Sequence, residues 1–205
     1  MPFAFPASPD TGPGLTEAGR RLVLRCAELG IAVDLSHLNE AGFWDVARLD
    51  AAPLVASHSG AHALCQSSRN LTDAQLDAIG SSGGLVGIVY AVAFVRADGR
   101  DDADTPIAAI VAHARHVADR IGPEHVGLGS DFDGVSFLPE GIRDVSDLPN
   151  ITYELLRRGY SDADVLKILG GNFMRAFAEV ERVAGVERRK ISGEGSLRRL
   201  GAAAK

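Results

Sequence analysis

The chain has 205 residues, 46% of them hydrophobic and 23% charged, with a formal net charge of -6. That composition can bury a core, which excludes a wholly disordered chain, and the acidic balance argues against a nucleic-acid partner. Two cysteines exclude a disulfide scaffold and fit a cytoplasmic location, no apolar run nears the roughly 18 residues of a membrane span, and MPFAFPASPDTGPG lacks the parts of a secretion signal.

Residues 1–14 are rich in Pro and Gly and read as an irregular segment. Thr16 can cap a helix over 17–29, with Ala18, Leu22, Val23, Cys26 and Leu29 inward and Gly30 as the stop. IAVDLS, 31–36, reads as a first strand, and a helix over 40–49 turns Phe43, Val46, Ala47 and Leu49 inward. PLVAS, 53–57, is a second strand. Thr72 and Gln75 have capping-box spacing for a short helix to Ile79. GLVGIVY, 84–90, is a third strand. Thr105 and Pro106 then open the longest helix, which keeps its apolar period to Ile121 and ends at Gly122-Pro123. VGLGS, 126–130, is a fourth strand. Helices over about 147–158, 162–169 and 173–184 follow, with Ser161 and Asn172 as caps of the last two. The packed domain is therefore placed at 15–184, and the basic tail, 185–205, is expected to be disordered.

Nearly apolar strands alternating with helices predict a parallel sheet covered by helices. No G-x-G-x-x-G or P-loop follows a strand. Polar residues fall instead at successive strand C-termini, as His37, His58 and Asp131, which is the pattern of a (β/α)8 barrel.

His37 and His58 can converge from adjacent strands as zinc ligands, or simply bond backbone and water at the strand ends. Asp131 in GLGSDFDG can bind metal, shuttle a proton, or cap its loop. Asp133 fits the turn before Gly134 better than it fits catalysis. Arg69, in CQSSRN, can clamp a substrate carboxylate with its forked donors or lie solvated in its loop. His62 is expected to face solvent, His113, His116 and His125 to be structural or surface residues, and Cys65 to be a small buried residue.

Taken together, VDLSH, VASHS with its histidine 21 residues on, the SRN that follows, and GLGSDFDG resemble the membrane dipeptidase (renal dipeptidase-like) family of zinc peptidases. GLTEAGRRLVLRCAELG and LPNITYELLRRGYSDADVLKILGGNFMRAF also look like that family, so the resemblance covers about residues 13–180. It implies an α/β fold, the second half of a (β/α)8 TIM-type barrel. About four parallel strands with covering helices are expected here, with the N-terminal half missing. It implies zinc-dependent hydrolysis of dipeptides. His37 and His58 match two ligands of one zinc, Arg69 the arginine that holds the substrate carboxylate, and Asp131 the acid/base aspartate.

Parts of the family pattern are absent. The His-x-Asp pair of the first zinc and the glutamate that bridges the two ions have no counterpart, so ligands for one of the two family zincs are present. Val89 stands where members commonly carry an asparagine. The chain is therefore expected to be an incomplete version of the enzyme, or a half that pairs with a complementing N-terminal half or as a homodimer, which would restore eight strands but still lack the bridging carboxylate. The alternatives are another amidohydrolase-type barrel metallohydrolase and an inactive fragment or binding module.

Overall fold

In the computed structural model, residues 11–191 are described, with side chains to residue 185. Helix α1 (Glu17–Leu29) is capped by Thr16, whose hydroxyl accepts from the Gly19 amide, and helix α2 (Glu40–Leu49) by Asn39 in the same way. Strand β1 (Val55–Ser59) leads to helix α3 (Asp73–Ser81), which carries the expected capping box of Thr72 and Gln75. Strand β2 (Leu85–Val89), the short helix α4 (Val92–Val95) and the long helix α5 (Ala108–Ile121) come next. Strand β3 (Val126–Gly129) precedes helices α6 (Leu148–Arg157), α7 (Asp162–Leu166) and α8 (Asn172–Ile191), the last two joined by a π-helical turn, Lys167–Gly171.

The strands form one parallel sheet in the order β1-β2-β3. All five residues of β2 are buried, as a central strand covered on both faces requires. Leu76 and Ile79 of α3, Ile110 and Val117 of α5, and Ile151 and Leu155 of α6 pack with Val86, Ile88 and Val126 in one core. Every strand runs the same way, so their C-terminal ends and the loops that follow share one rim.

Several expectations need correction. The described residues hold three strands, not four. The 31–36 segment is reduced to one parallel bridge, Asp34 to Val55. Its own side chains replace the ladder: Asp34 Oδ1 accepts the Ser57 amide at 2.9 Å, and Ser36 Oγ accepts the His58 amide at 2.9 Å. With those amides taken, the backbone turns away, and His37 adopts a positive φ of 67°. The buried face of α1 is Gly19, Val23 and Ala27, while Ala18, Leu22 and Leu29 are exposed. Thr105 does not cap α5; its hydroxyl donates to the Asp102 carbonyl three residues before it. Asn172 is likewise no cap, because its amide donates to the carbonyls of Pro123 and Val126 and ties the start of α8 to β3. The backbone of α8 runs to Ile191, into the segment expected as tail. The rest of that segment, and residues 1–10, lie outside the described residues.

Candidate metal and substrate site

His58 lies within β1, and the strand is irregular there. Ala56 pairs with Val86 and Ser59 with Ile88, so three steps on β1 match two on β2 and one residue bulges. The Ser57 carbonyl leans over the sheet where β2 and β3 carry Gly87 and Gly129. A Cβ on either residue would overlap that carbonyl oxygen, far inside van der Waals contact. Glycine is therefore needed at both places for backbone to approach so closely. Bulges commonly re-aim a side chain beside an active site, and this one turns His58 to meet His37.

The two imidazoles converge with Nε2 to Nε2 at 2.9 Å and ring centroids 5.0 Å apart. The Asp131 carboxylate stands 3.9 Å from His58 Nε2. Among the described residues, His37, His58 and Asp131 form the group able to offer three metal-ligating atoms, all within 4.8 Å of one another. His37 and Asp131 both have left-handed backbone, with φ of 67° and 56°. For residues other than glycine this conformation is strained, and such strain gathers at functional sites. Burial, together with the positive charge of Arg69, holds the His37 imidazole below its ordinary pKa, which favours the neutral ring that metal binding requires.

Arg69 is 4% exposed, which overturns the solvated-loop reading. One of its terminal nitrogens donates to the His58 carbonyl at 3.2 Å, and its guanidinium lies 5.5 Å from the centre of the Phe94 ring. Its Nε has no partner. Burial lowers its pKa to about 10, still far above neutrality, so it remains a cation. Asp131 and Asp34 act on it only at longer range. A buried cation with spare donors suits an incoming anion. The cavity it lines has a volume of about 180 Å³ and is also bounded by His37, Ser59, His62 and Gln75. His62 thus lines this cavity rather than facing open solvent.

The remaining titratable residues stay outside the cluster. Asp133 is exposed beyond the turn that Asp131 closes by accepting the Gly134 amide. His116 pairs with Asp73 at 2.8 Å and His125 with the Gly84 carbonyl at 2.9 Å, both structural contacts. Cys65 is buried, its thiol donates to the Ala93 carbonyl, and burial raises its pKa away from reactivity. Val89 packs with Ala91 and Val95 in a small apolar cluster.

Two residues that sequence reasoning passed over support the site. Asp34 and Ser57 form a chain of hydrogen bonds ending on His58 Nδ1, with Ser57 Oγ 2.5 Å from Asp34 Oδ2 and 2.7 Å from the ring. The available signal was a carboxylate inside an otherwise apolar strand, VDLS.

The family model for membrane dipeptidase (peptidase family M19) matches residues 3–190. Among solved structures, the chain is similar to a metallo peptidase from Rhodobacter sphaeroides, liganded with a phosphinate mimic of the dipeptide L-Ala-D-Ala. That likeness has 50% identity and a TM-score of 0.82, over 87% of this chain and 50% of the other. Among curated proteins, it is 49% identical to an uncharacterised protein in the pqqA 5' region of Klebsiella pneumoniae, over 86% of this chain and 65% of the relative. It is 40% identical to dipeptidase aclJ of Aspergillus oryzae, over 87% of this chain and 42% of the relative. The chain thus spans between 42% and 65% of the length of these relatives.

Proposed function

The chain belongs to the membrane dipeptidase family, peptidase family M19, and from that membership we propose that it carries the histidine-bound part of a zinc dipeptidase active site. The observation that carries the reading is the convergence of His37, His58 and Asp131 beside a buried, underused arginine. The donor set fits the metal. Ligating nitrogens around a tetrahedral zinc stand about 3.3 Å apart, so the two Nε2 atoms at 2.9 Å need move only slightly. When bound, zinc polarises the scissile carbonyl and lowers the pKa of a water toward neutrality.

The chain's own residues supply the rest. The Arg69 guanidinium holds the substrate's terminal carboxylate, which favours a dipeptide over a cyclic amide or ester. Asp131, whose carboxylate lies 3.9 Å from His58 Nε2, would take a proton from the attacking water and return it to the departing amine. Phe94 and the cavity wall keep the Arg69 charge from solvent, which strengthens its hold on an anion. We further propose that the sheet is the later half of a (β/α)8 barrel. The His-x-Asp pair of the other zinc and the glutamate that bridges the two ions would then come from the length of the relatives that this chain does not span, through a longer protein or a complementing half.

The first test is direct. The chain, stripped with chelator, is titrated with zinc by calorimetry and assayed on L-Ala-D-Ala with and without added zinc. One zinc per chain is expected, lost in both His37→Ala and His58→Ala. A chain that binds no zinc, or binds it equally well without either histidine, would overturn the metal assignment.

A further inference from the structure

The route from Asp34 to His58 has a direction that hydrogen counting determines. A carboxylate offers lone pairs only, and a serine hydroxyl has one proton to give. Ser57 Oγ–H therefore donates to Asp34 Oδ2 at 2.5 Å. Its remaining lone pairs face His58 Nδ1 at 2.7 Å, so that nitrogen must carry the ring hydrogen. A neutral imidazole with hydrogen on Nδ1 leaves Nε2 bare. Asp34 is itself held rigid, because its Oδ1 accepts the backbone amides of Ser36 and Ser57 at 3.0 Å and 2.9 Å.

We propose that Asp34 and Ser57 are positioning residues that set His58 in the Nδ1–H tautomer, so that its Nε2 lone pair faces the metal position before any metal binds. The hydrogen between the two Nε2 atoms, 2.9 Å apart, then belongs to His37. One ligand is preset and the other must move its hydrogen when metal arrives. Partners of this kind, one bond behind a ligand, fix its tautomer and orientation, and losing them costs metal affinity. The inference rests on the metal reading of the site but concerns a property of the metal-free chain.

The substitutions differ in what they predict. Asp34→Asn keeps an oxygen for the two amides but places an NH2 donor toward Ser57. The hydroxyl proton must then turn to His58 Nδ1, and the ring hydrogen must move to Nε2. Ser57→Ala removes the link, and Ser57→Thr restores it.

The experiment uses the full 205-residue chain, labelled with 15N-histidine and kept metal-free, and reads each ring by two-bond proton–nitrogen correlation. Hydrogen on Nδ1 of His58 is expected in the unsubstituted chain and in Ser57→Thr, and hydrogen on Nε2 in Asp34→Asn. Zinc titration of the same samples should show about a 10–100-fold loss of affinity in Asp34→Asn and Ser57→Ala, with Ser57→Thr close to unsubstituted. Hydrogen on Nε2 in the unsubstituted chain, or no change in Asp34→Asn, overturns the proposal. Expected tautomers in a chain that binds no zinc would overturn the metal reading and leave the relay supported.

Discussion

His113 is held neutral by the core rather than by any site. Its Nδ1 accepts the Ala61 amide at 2.9 Å, its Nε2–H donates to the Val95 carbonyl at 3.2 Å, and burial takes its pKa down to about 4. The unfolded chain binds this proton at the ordinary histidine pKa near 6.5, so the unfolded state gains protons first as pH falls. The His113 contribution is therefore complete above about pH 6.5 and is lost between there and about pH 4, by about 3 kcal/mol. Denaturant unfolding at constant ionic strength should show that slope in the native chain and a shallower one in His113→Gln. Equal slopes would show that another group titrates. At this scale the sequence was informative about the candidate site itself. His37, His58, Arg69 and Asp131 all stand at motif positions readable in order. The role of Asp34 and Ser57 was not legible, although the carboxylate in VDLS was a signal, because it depends on the 31–36 segment lying beside β1, 23 residues away in the chain.

The elements show where local pattern suffices and where it fails. The capping box of α3 and the cap of α7 by Ser161 are local devices, so spacing alone located them. Thr105 and Asn172 have the right residue types for caps, yet the fold spends their hydrogen bonds on other partners. The buried face of α1 is Gly19, Val23 and Ala27, with Val23 in the main core, and α1 lies against both α2 and α8. The bulge of β1 was invisible in sequence, although Gly87 and Gly129 mark where it presses. Gly129→Ala is expected to push its Cβ into the Ser57 carbonyl and destabilise the chain by about 1–3 kcal/mol, as overpacking does. Urea unfolding measures the stability loss, and the His58 ring signals should shift in the same variant. Full stability in Gly129→Ala would mean that the carbonyl can retreat and that the bulge is not pinned there.

At the scale of the whole molecule, among the described residues no strand pairs with the outer edge of β3, and apolar side chains are exposed. Phe173 and Phe177 lie with ring centroids 4.7 Å apart on α8, and Leu166, Leu169 and Met174 are exposed nearby in sequence. Contiguous exposed apolar residues on this scale mark an interface or an association liability, and open strand edges add to it. Size exclusion with light scattering should therefore give a molar mass above that of one chain, and Phe173→Ser with Phe177→Ser should lower it. A single-chain mass for the unsubstituted protein would sink the expectation of self-association. No described helix is long and apolar enough to cross a membrane.

The sequence by itself determined the family, the alternation of strands and helices, and four candidate residues at motif positions, because motif order, apolar period and capping chemistry are properties of neighbours along the chain. Only the tertiary structure decided how many strands form. A side chain can take a ladder amide only when its strand lies beside another. It also decided that Arg69 is buried and short of partners, and which ring nitrogen of His58 is bare. Burial and hydrogen-bond direction belong to groups that meet across the fold, and no local spacing encodes them.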